Sequence, residues 1–222
     1  MSLTKSKLYL IRHGQSTYNL ENRFTGWKDV DLTELGMSQA KEAAQLLSGH
    51  KFDIAFTSDL LRAQKTLDII LNELELNLEI LKNQALNERD YGDLVGQNKG
   101  EAADKFGTEQ VQIWRRSFDT PPPNGESLKM TLERTLPYFN SVIKPHLING
   151  KNVILSAHGN SIRSIIMDLF KYNPDQILKT EVGWCEPVIY TFNNNGKIID
   201  FELIPRSSEP SKSHFPEFSL SD

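Results

Sequence analysis

Cysteine is nearly missing from this 222-residue sequence, since Cys185 is its single example. One thiol cannot form an internal disulfide, so we expect a reducing compartment and a cytoplasmic protein. Long apolar runs are missing as well. Runs such as residues 69–71 are far too short to cross a bilayer, which excludes a membrane protein. The chain does not open with a basic start and a long apolar stretch, so we expect no secretory signal.

An excess of positive charge is also lacking. The sequence has 25 Lys and Arg against 29 Asp and Glu, a net charge of −4 at pH 7. This balance removes the global electrostatic argument for a nucleic-acid-binding protein. Hydrophobic residues make up 38% and charged residues 24%, which is typical of a globular protein, and we expect one domain over residues 1–222. Any anionic ligand must therefore be held by a local cluster of cations.

The order of apolar runs predicts the fold class. Three β-favouring runs are each followed by a polar turn: residues 7–11, 52–56 and 152–157. Helical patterns at residues 60–74 and 161–170 follow the second and third runs, which is typical of βα units and a mostly parallel sheet. A weaker strand is expected at 78–81, and a hairpin at the sheet edge from 188–192 and 198–203. We expect an α/β three-layer sandwich with a mostly parallel central sheet and an antiparallel edge hairpin.

Two helices are expected between the strands. Thr33 can cap a helix whose apolar stripe is Met37, Ala40, Ala44 and Leu47. A second apolar stripe comprises Leu132, Leu136, Phe139 and Ile143. Because Pro137 and Pro145 lie within this second pattern, we expect a kink or an early stop there.

Residues from about 85 to 127 show no clean periodicity and carry many charged and aromatic side chains. Phe106, Trp114 and Phe118 favour an ordered cap over the carboxyl edge of the sheet, where α/β proteins bind ligands. We call residues 85–127 the cap segment. After Pro205 the chain becomes rich in Ser and Pro, and we expect a mobile tail over about residues 206–222.

His13 and His158 each end a predicted strand and precede a glycine. Either one alone would be read as a hydrogen-bonded histidine at the end of a buried strand. In a parallel sheet, however, both would lie at the same carboxyl edge, where the amide groups of the next helix can bind an anion. The repeated junction therefore favours a histidine-centred anion site.

The residues around His13 suit a phosphate ester. Gly14 allows close approach to the backbone, Ser16 and Asn19 share one helical face, and Arg12 supplies a guanidinium. Arg62 is expected along the same edge. A neutral imidazole is a good nucleophile toward phosphorus, and neighbouring cations lower its pKa.

The cap segment could supply the remaining groups. Glu88 is a candidate proton shuttle, although a surface carboxylate is the simpler interpretation of its residue type alone. Lys99, Arg115 and Arg116 add three cations. No zinc-type spacing of His and Cys is present, so no metal is required.

These stretches resemble the cofactor-dependent phosphoglycerate mutases, a branch of the histidine phosphatase superfamily. The Arg-His-Gly signature of the superfamily matches residues 12–14, and its second His-Gly pair matches residues 158–159. The narrower mutase pattern is similar, in the same order, at residues 22–27, 57–58, 62–63, 87–89, 91–92, 98–99, 114–116 and 157–161. The resemblance runs from about residue 7 to about residue 204. The short connection from Arg116 to Glu126 resembles the short form.

The resemblance implies a role for each matched residue. His13 would become phosphorylated, and Glu88 would act as general acid and base. Arg12, Arg62 and His158 would hold the transferring phosphoryl group. The phosphate and substrate pocket would be lined by Ser16, Asn19, Thr25, Gly26, Gly159 and Asn160. From the cap segment, the carboxylate and second phosphate would be gripped by Arg89, Tyr91, Lys99, Arg115 and Arg116.

The implied reaction interconverts 3-phosphoglycerate and 2-phosphoglycerate, primed by 2,3-bisphosphoglycerate and without a metal. Related proteins are often dimers or tetramers, so a homo-oligomer is a further implication. The partners are thus phosphoglycerate substrates, with neither nucleic acid nor membrane.

Three alternatives remain open from the sequence. A histidine phosphatase could hydrolyse small phosphate esters at the same site. Asp29 and Asp31 have the spacing of a magnesium-dependent aspartyl-phosphate loop, although no apolar strand precedes Asp29. A non-enzymatic scaffold could bind anions with the site intact but idle.

Overall fold

The computed structural model describes residues 5–220, which form one six-stranded sheet with helices on both faces. The strands are β1 (Ser6–Arg12), β2 (Ile54–Thr57), β3 (Ile80–Lys82), β4 (Val153–Ala157), β5 (Val188–Phe192) and β6 (Ile198–Leu203). Their order is β3-β2-β4-β1-β5-β6. The first four strands run parallel, whereas β5 and β6 are antiparallel to their neighbours. The predicted α/β fold and its edge hairpin are confirmed.

The helices are α1 (Thr17–Leu20), α2 (Glu34–Leu46), α3 (Leu61–Glu73), α4 (Lys99–Phe106), α5 (Thr108–Arg116), α6 (Leu128–Tyr138), α7 (Lys144–Ile148), α8 (Gly159–Phe170) and α9 (Pro174–Lys179). Within residues 5–220, none of them has the length and apolar character needed to cross a membrane.

The three layers follow from the alternation of side chains along the central strands. In β1, Leu8 and Leu10 join the core cluster that contains α6, α7 and α8, whereas Tyr9 and Ile11 join the cluster that contains α2 and α3. Because strands β1 and β4 are buried on both faces, their sequences are nearly continuous apolar runs.

The predicted cap of α2 is confirmed, since the Thr33 hydroxyl accepts a hydrogen bond from the amide of Gly36 at 3.0 Å. The predicted stripe is wrong at Met37, which is 38% exposed. Gly36 lies against the backbone of Gln15 so closely that a Cβ there would come within 2.1 Å of its carbonyl oxygen. This contact turns Gly36 inward and Met37 toward solvent.

The stripe predicted for α6 is only partly correct. Leu132 and Leu136 are half-buried, and the fully buried positions include Thr131 and Thr135. Thr135 takes an inward position because its hydroxyl donates to the carbonyl of Ala85 at 2.9 Å. After Pro137 the helix changes to a π-helical segment, Phe139–Ile143, before α7. A proline lacks the amide hydrogen of the regular ladder, which accounts for the irregularity.

The cap segment has its own small apolar cluster. Phe24, Leu94, Ala102 and Val111 are buried together, and Trp114 packs against them. This cluster packs α4 and α5 against the segment that follows β1. The limits of the cap segment and the single-domain boundary stay predictions.

The tail after Pro205 follows a defined path along the body of the protein. The Arg206 side chain is 3% exposed and pairs with Glu42 at 3.2 Å. Residues Glu181 and His214 form a two-stranded bridge, in which each amide donates to the other's carbonyl at 2.9 Å. Phe218 stacks on Phe170 at a centroid distance of 4.0 Å. The predicted mobility of this segment stays a prediction, but its contacts tie it to α2, α8 and the loop before β5.

The tail stabilises the fold by supplying the hydrogen-bond donors of a buried carboxylate, that of Glu186. Glu186 is 1% exposed, and among residues 5–220 the hydrogen-bond donors to its carboxylate all come from Ser211, Lys212 and Ser213. Deleting residues 211–222 is expected to lower the free energy of unfolding by about 2–4 kcal/mol, because a buried carboxylate loses its donors. Urea denaturation measures the change.

A second variant separates this effect from general loss of contacts. In the truncated chain, Glu186→Leu removes the buried charge and is expected to recover part of the lost stability. Deleting only residues 219–222 leaves these donors in place and serves as the control. A chain truncated at 210 with full stability would contradict the assignment.

Candidate active site

The two His-Gly junctions meet at the carboxyl edge of the sheet because β1 and β4 are parallel neighbours. The amide of His13 donates to the carbonyl of Ala157 at 3.0 Å, and the two imidazole rings lie 5.0 Å apart between centroids. His13 is 3% exposed and His158 is fully buried. The predicted pairing of the rings at one edge is therefore present in the structure.

His13 is oriented by the backbone that follows it. Its Nδ1 lies 2.6 Å from the carbonyl oxygen of Gly14, so Nδ1 carries the hydrogen and Nε2 keeps a free lone pair. A side chain at residue 14 would place its Cβ 2.3 Å from the carbonyl oxygen of Gly36, so only glycine allows this packing. Burial, followed by the charges of Arg62 and Arg12, lowers the pKa of His13 well below its usual value; the Gly14 hydrogen bond opposes this without reversing it.

His158 stands at the start of α8 and is held by Ser58. The Nε2 atom of His158 lies 2.7 Å from the Ser58 hydroxyl oxygen, and that oxygen also accepts from the amide of Leu60 at 3.2 Å. Burial lowers the pKa of His158 well below its usual value, with further contributions from Arg62 and His13. Both rings are therefore neutral near pH 7.

Two guanidinium groups flank the rings, those of the half-buried Arg12 and the buried Arg62. Arg12 donates to the carbonyl of Val182 at 2.8 Å and lies over the ring of Trp184 at 5.6 Å. Arg62 donates to the carbonyls of Gly26 and Lys28 at 2.9 and 3.1 Å. Because these partners are neutral, both arginines keep their full positive charge available for an anion.

Glu88 is brought to the same place by the cap segment. Its Oε1 accepts three hydrogen bonds, from the amide of Arg89 at 2.8 Å and from the backbone and side chain of Asn160 at 3.0 and 2.9 Å. Burial alone would raise the pKa of Glu88. The bonds from Arg89 and Asn160, together with the charges of Arg62 and Arg12, outweigh burial and lower it.

The far side of the cavity is formed by cations of the cap segment. Lys99 follows the cap residue of α4, and Arg115 and Arg116 lie in the last turn of α5. The guanidinium of Arg89 is buried, donates to the Tyr91 hydroxyl at 2.9 Å and lies over the Tyr91 ring at 4.6 Å. These contacts direct Tyr91 into the cavity while Arg89 stays behind it.

One cavity collects these groups, and it is lined by Arg12, His13, Asn19, Arg23, Phe24, Thr25, Gly26, Arg62, Glu88, Tyr91, Lys99, Arg115, Arg116, Gly159, Asn160, Arg163, Glu181 and Val182. Every predicted site residue is in this lining except Ser16, Arg89 and His158. Ser16 caps α1 through Asn19, and the other two lie directly behind lining residues. The structure thus brings the predicted set together, while the individual roles stay predictions.

Several residues of the site were not predicted from the sequence. Arg23 and Phe24 line the cavity and lie in the matched stretch 22–27, but they were given no role there. Arg163, Glu181 and Val182 also line the cavity and carry no pattern that distinguishes them from surface or core positions. Arg134 lies outside the cavity and donates to the Glu88 carbonyl at 2.9 Å, beside the Trp27 indole, which donates to the same oxygen at 2.6 Å. Its ion pair with Glu126, at 2.8 Å, fixes that arrangement.

The alternative nucleophile is not at the site. Asp29 accepts from the amide of Leu61 at 2.7 Å, and Asp31 pairs with Lys65 at 2.5 Å. Both carboxylates are thus engaged in loop and helix contacts at the start of α3. Within residues 5–220, side chains of His, Cys, Asp and Glu form no group of three or more placed to hold a metal ion.

The low pKa of His13 gives a testable pH dependence. Because the folded-state pKa lies well below the usual value of about 6.5, the ring is expected to stay neutral from pH 8 through pH 6.5 and to gain a proton only at lower pH. Imidazole resonances followed by NMR measure this, with the exposed His214 recorded in the same spectra. A titration midpoint of His13 near 6.5 would contradict the electrostatic account.

Comparison with known proteins gives a consistent result. The sequence profile of the histidine phosphatase superfamily (branch 1) matches residues 8–202. A Nitrobacter hamburgensis protein named 2,3-bisphosphoglycerate-dependent phosphoglycerate mutase is 55% identical over 199 residues, covering 88% of this chain and 96% of the relative. A Schizosaccharomyces pombe protein named phosphoglycerate mutase is 55% identical over 200 residues, covering 89% and 95%.

Solved structures share the fold. Bacillus stearothermophilus YhfR has a TM-score of 0.78 at 22% identity, covering 93% of this chain and 98% of that one, a likeness of fold alone. A mycobacterial glucosyl-3-phosphoglycerate phosphatase in complex with VO3 has a TM-score of 0.76 at 25% identity, covering 89% and 97%.

Proposed function

Because this chain belongs to branch 1 of the histidine phosphatase superfamily, we propose that it is an isomerase that interconverts 3-phosphoglycerate and 2-phosphoglycerate. Its curated relatives at 55% identity, matched over almost their whole length, carry the name of that enzyme. The observation that carries the proposal is one cavity with a nucleophile and a proton carrier at one end and a second set of cations at the other.

The first half-reaction loads the enzyme. The Nε2 lone pair of His13 attacks the phosphorus of 2,3-bisphosphoglycerate, so that a P–N bond forms as the P–O bond breaks. Glu88 gives a proton to the departing alkoxide. Arg12, Arg62 and His158 surround the phosphoryl oxygens, where charge is spread in the transition state.

The second half-reaction returns the phosphoryl group. Glu88 takes the proton from a monophosphoglycerate hydroxyl, whose oxygen attacks phosphorus and displaces His13. The product of this step is 2,3-bisphosphoglycerate, and the substrate is isomerised when the next transfer to His13 takes the phosphoryl group that the substrate brought with it. The group that serves as acid in one direction therefore serves as base in the other.

The environment of Glu88 allows both roles. In the empty cavity its pKa is lowered partly by Arg62 and Arg12. A phosphoryl dianion bound between these arginines offsets their charge, so the pKa of Glu88 rises when the substrate is bound. The carboxylate can then accept a proton near neutral pH, where an isolated carboxyl would stay ionised.

The second set of cations favours a mutase over a phosphatase. Hydrolysis of a simple ester requires contacts to one phosphoryl group, whereas retention of a bisphosphorylated ligand requires contacts to both ends. Lys99, Arg115 and Arg116 provide the contacts to the second end of the ligand. The proposal includes 2,3-bisphosphoglycerate as primer, no metal requirement, a cytoplasmic location and a homo-oligomeric assembly.

Rates measured with and without primer test the proposal. We expect isomerisation to depend strongly on 2,3-bisphosphoglycerate, to release little inorganic phosphate and to continue in the presence of a chelator. Phosphate release that equals substrate consumption would instead identify a phosphatase. Absence of both turnover and phosphohistidine after incubation with the primer would leave only an anion-binding scaffold.

A further inference from the structure

One carboxylate in the cavity has no part in phosphoryl transfer. The lining contains seven Lys and Arg side chains and two carboxylates, Glu88 and Glu181. Glu88 lies beside the histidines and carries the proton. Glu181 pairs with Arg116 of the cap segment and also lies close enough to Arg12 for their charges to interact, so its negative charge opposes the binding of an anionic group at Arg116.

Glu181 divides its two oxygens between two arginines. Its Oε1 accepts from Arg116 at 2.6 Å, and its Oε2 pairs with Arg163 at 2.8 Å. Arg163 is fixed further, since it also donates to the Thr180 carbonyl at 2.7 Å and has an 11% exposed side chain. Arg116 is 50% exposed, and among residues 5–220 its side chain bonds only to Glu181. Arg116 is therefore the partner that a ligand can draw away.

The backbone holds Glu181 in this position from both sides. Its amide and carbonyl both bond to His214 of the tail at 2.9 Å. The carbonyl of the next residue, Val182, accepts from Arg12 at 2.8 Å. These bonds fix the backbone at Glu181, and the two ion pairs hold its carboxylate at the cavity.

Glu181 is ionised at neutral pH. Burial alone would raise its pKa, but the charge of Arg163 and the hydrogen bond and charge of Arg116 outweigh burial and lower it. A ligand group that binds Arg116 must therefore displace a full negative charge.

We propose that Glu181 is a specificity-determining residue whose carboxylate competes with the second anionic group of the ligand for Arg116. The competition weakens binding of a bisphosphorylated ligand more than binding of a monophosphate, because repulsion grows with ligand charge. Arg163 stays paired with Glu181 in both states, and only Arg116 changes partner. This inference rests on the proposed function, and it adds a residue that sets the balance between primer and substrate.

The test uses the variant Glu181→Gln, which keeps an oxygen acceptor for Arg116 and removes the charge. The full chain also carries His13→Ala, so that ligands bind without reacting. Calorimetry measures the dissociation constants of 3-phosphoglycerate and 2,3-bisphosphoglycerate, and those of inorganic phosphate and pyrophosphate. The matched control is Asp168→Asn, which removes a carboxylate from an ion pair with Lys171 outside the cavity.

The expected result is a preference for 2,3-bisphosphoglycerate over 3-phosphoglycerate that increases about tenfold in Glu181→Gln. The increase is expected to shrink at high salt and to be absent in Asp168→Asn. Equal changes for both ligands, or weaker binding of both, would overturn the inference, since a residue that only positions Arg116 would give that result.

The measurements with inorganic phosphate and pyrophosphate separate this inference from the proposed function. If neither phosphoglycerate binds, the proposed function fails. The charge competition is then decided by the simple anions, because pyrophosphate must gain more than phosphate from Glu181→Gln. Equal gains for phosphate and pyrophosphate would overturn the inference by themselves.

Discussion

Replacing His13 with alanine is expected to abolish the phosphoenzyme and to lower the isomerisation rate by 10⁴-fold or more, on the order seen when a catalytic nucleophile is removed. The reason is geometric as well as chemical. Nε2 of His13 carries the free lone pair at the cavity, because Nδ1 donates its hydrogen to the Gly14 carbonyl. His158 is fully buried behind the cavity lining, and its Nε2 faces Ser58.

Phosphohistidine assayed after incubation with 2,3-bisphosphoglycerate, together with the isomerisation rate, measures this effect. His50→Asn is the matched control, because His50 precedes β2 at the opposite edge of the sheet and bonds to the Tyr9 hydroxyl. A stable phosphorylated protein in the His13→Ala variant would refute the nucleophile assignment.

Replacing Glu88 with glutamine is expected to lower the isomerisation rate by about 10²- to 10⁴-fold, the usual contribution of a general acid or base. The amide keeps the size of the side chain but cannot carry the proton. Since the ligand hydroxyl then lacks a proton acceptor, transfer from phosphorylated His13 to monophosphoglycerate is expected to slow most. Single-turnover transfer from the isolated phosphoenzyme measures that step.

Glu101→Gln is the control for this variant. Glu101 lies in the first turn of α4, also in the cap segment, but it is exposed and outside the cavity. The pH profile gives an independent readout. In the wild type, the isomerisation rate should fall at low pH, because the Glu88 carboxylate must be ionised to accept a proton. This fall should be missing in Glu88→Gln. A Glu88→Gln enzyme with an unchanged rate and profile would exclude Glu88 as the proton carrier.

The sequence by itself determined the strands and the two histidines. Apolar runs that end abruptly at His13 and His158 specify buried strands, and parallel strands place such ends at one edge. Local patterns were sufficient there because burial on both faces requires a continuous apolar run. The same reasoning was wrong at Met37, because the rotation of α2 is decided by the close contact of Gly36 with Gln15.

Only the tertiary structure decided how charge is distributed around the imidazole rings of His13 and His158. Arg134 and Trp27 reach the Glu88 carbonyl from segments 107 residues apart in sequence, and neither side chain signals this contact by its neighbours. Glu181 is likewise an ordinary acidic residue in the sequence, and it becomes part of the cavity through its pairing with Arg116 and Arg163. Periodicity reports burial along one segment, whereas pKa values and ion pairs depend on distances between segments that only folding sets.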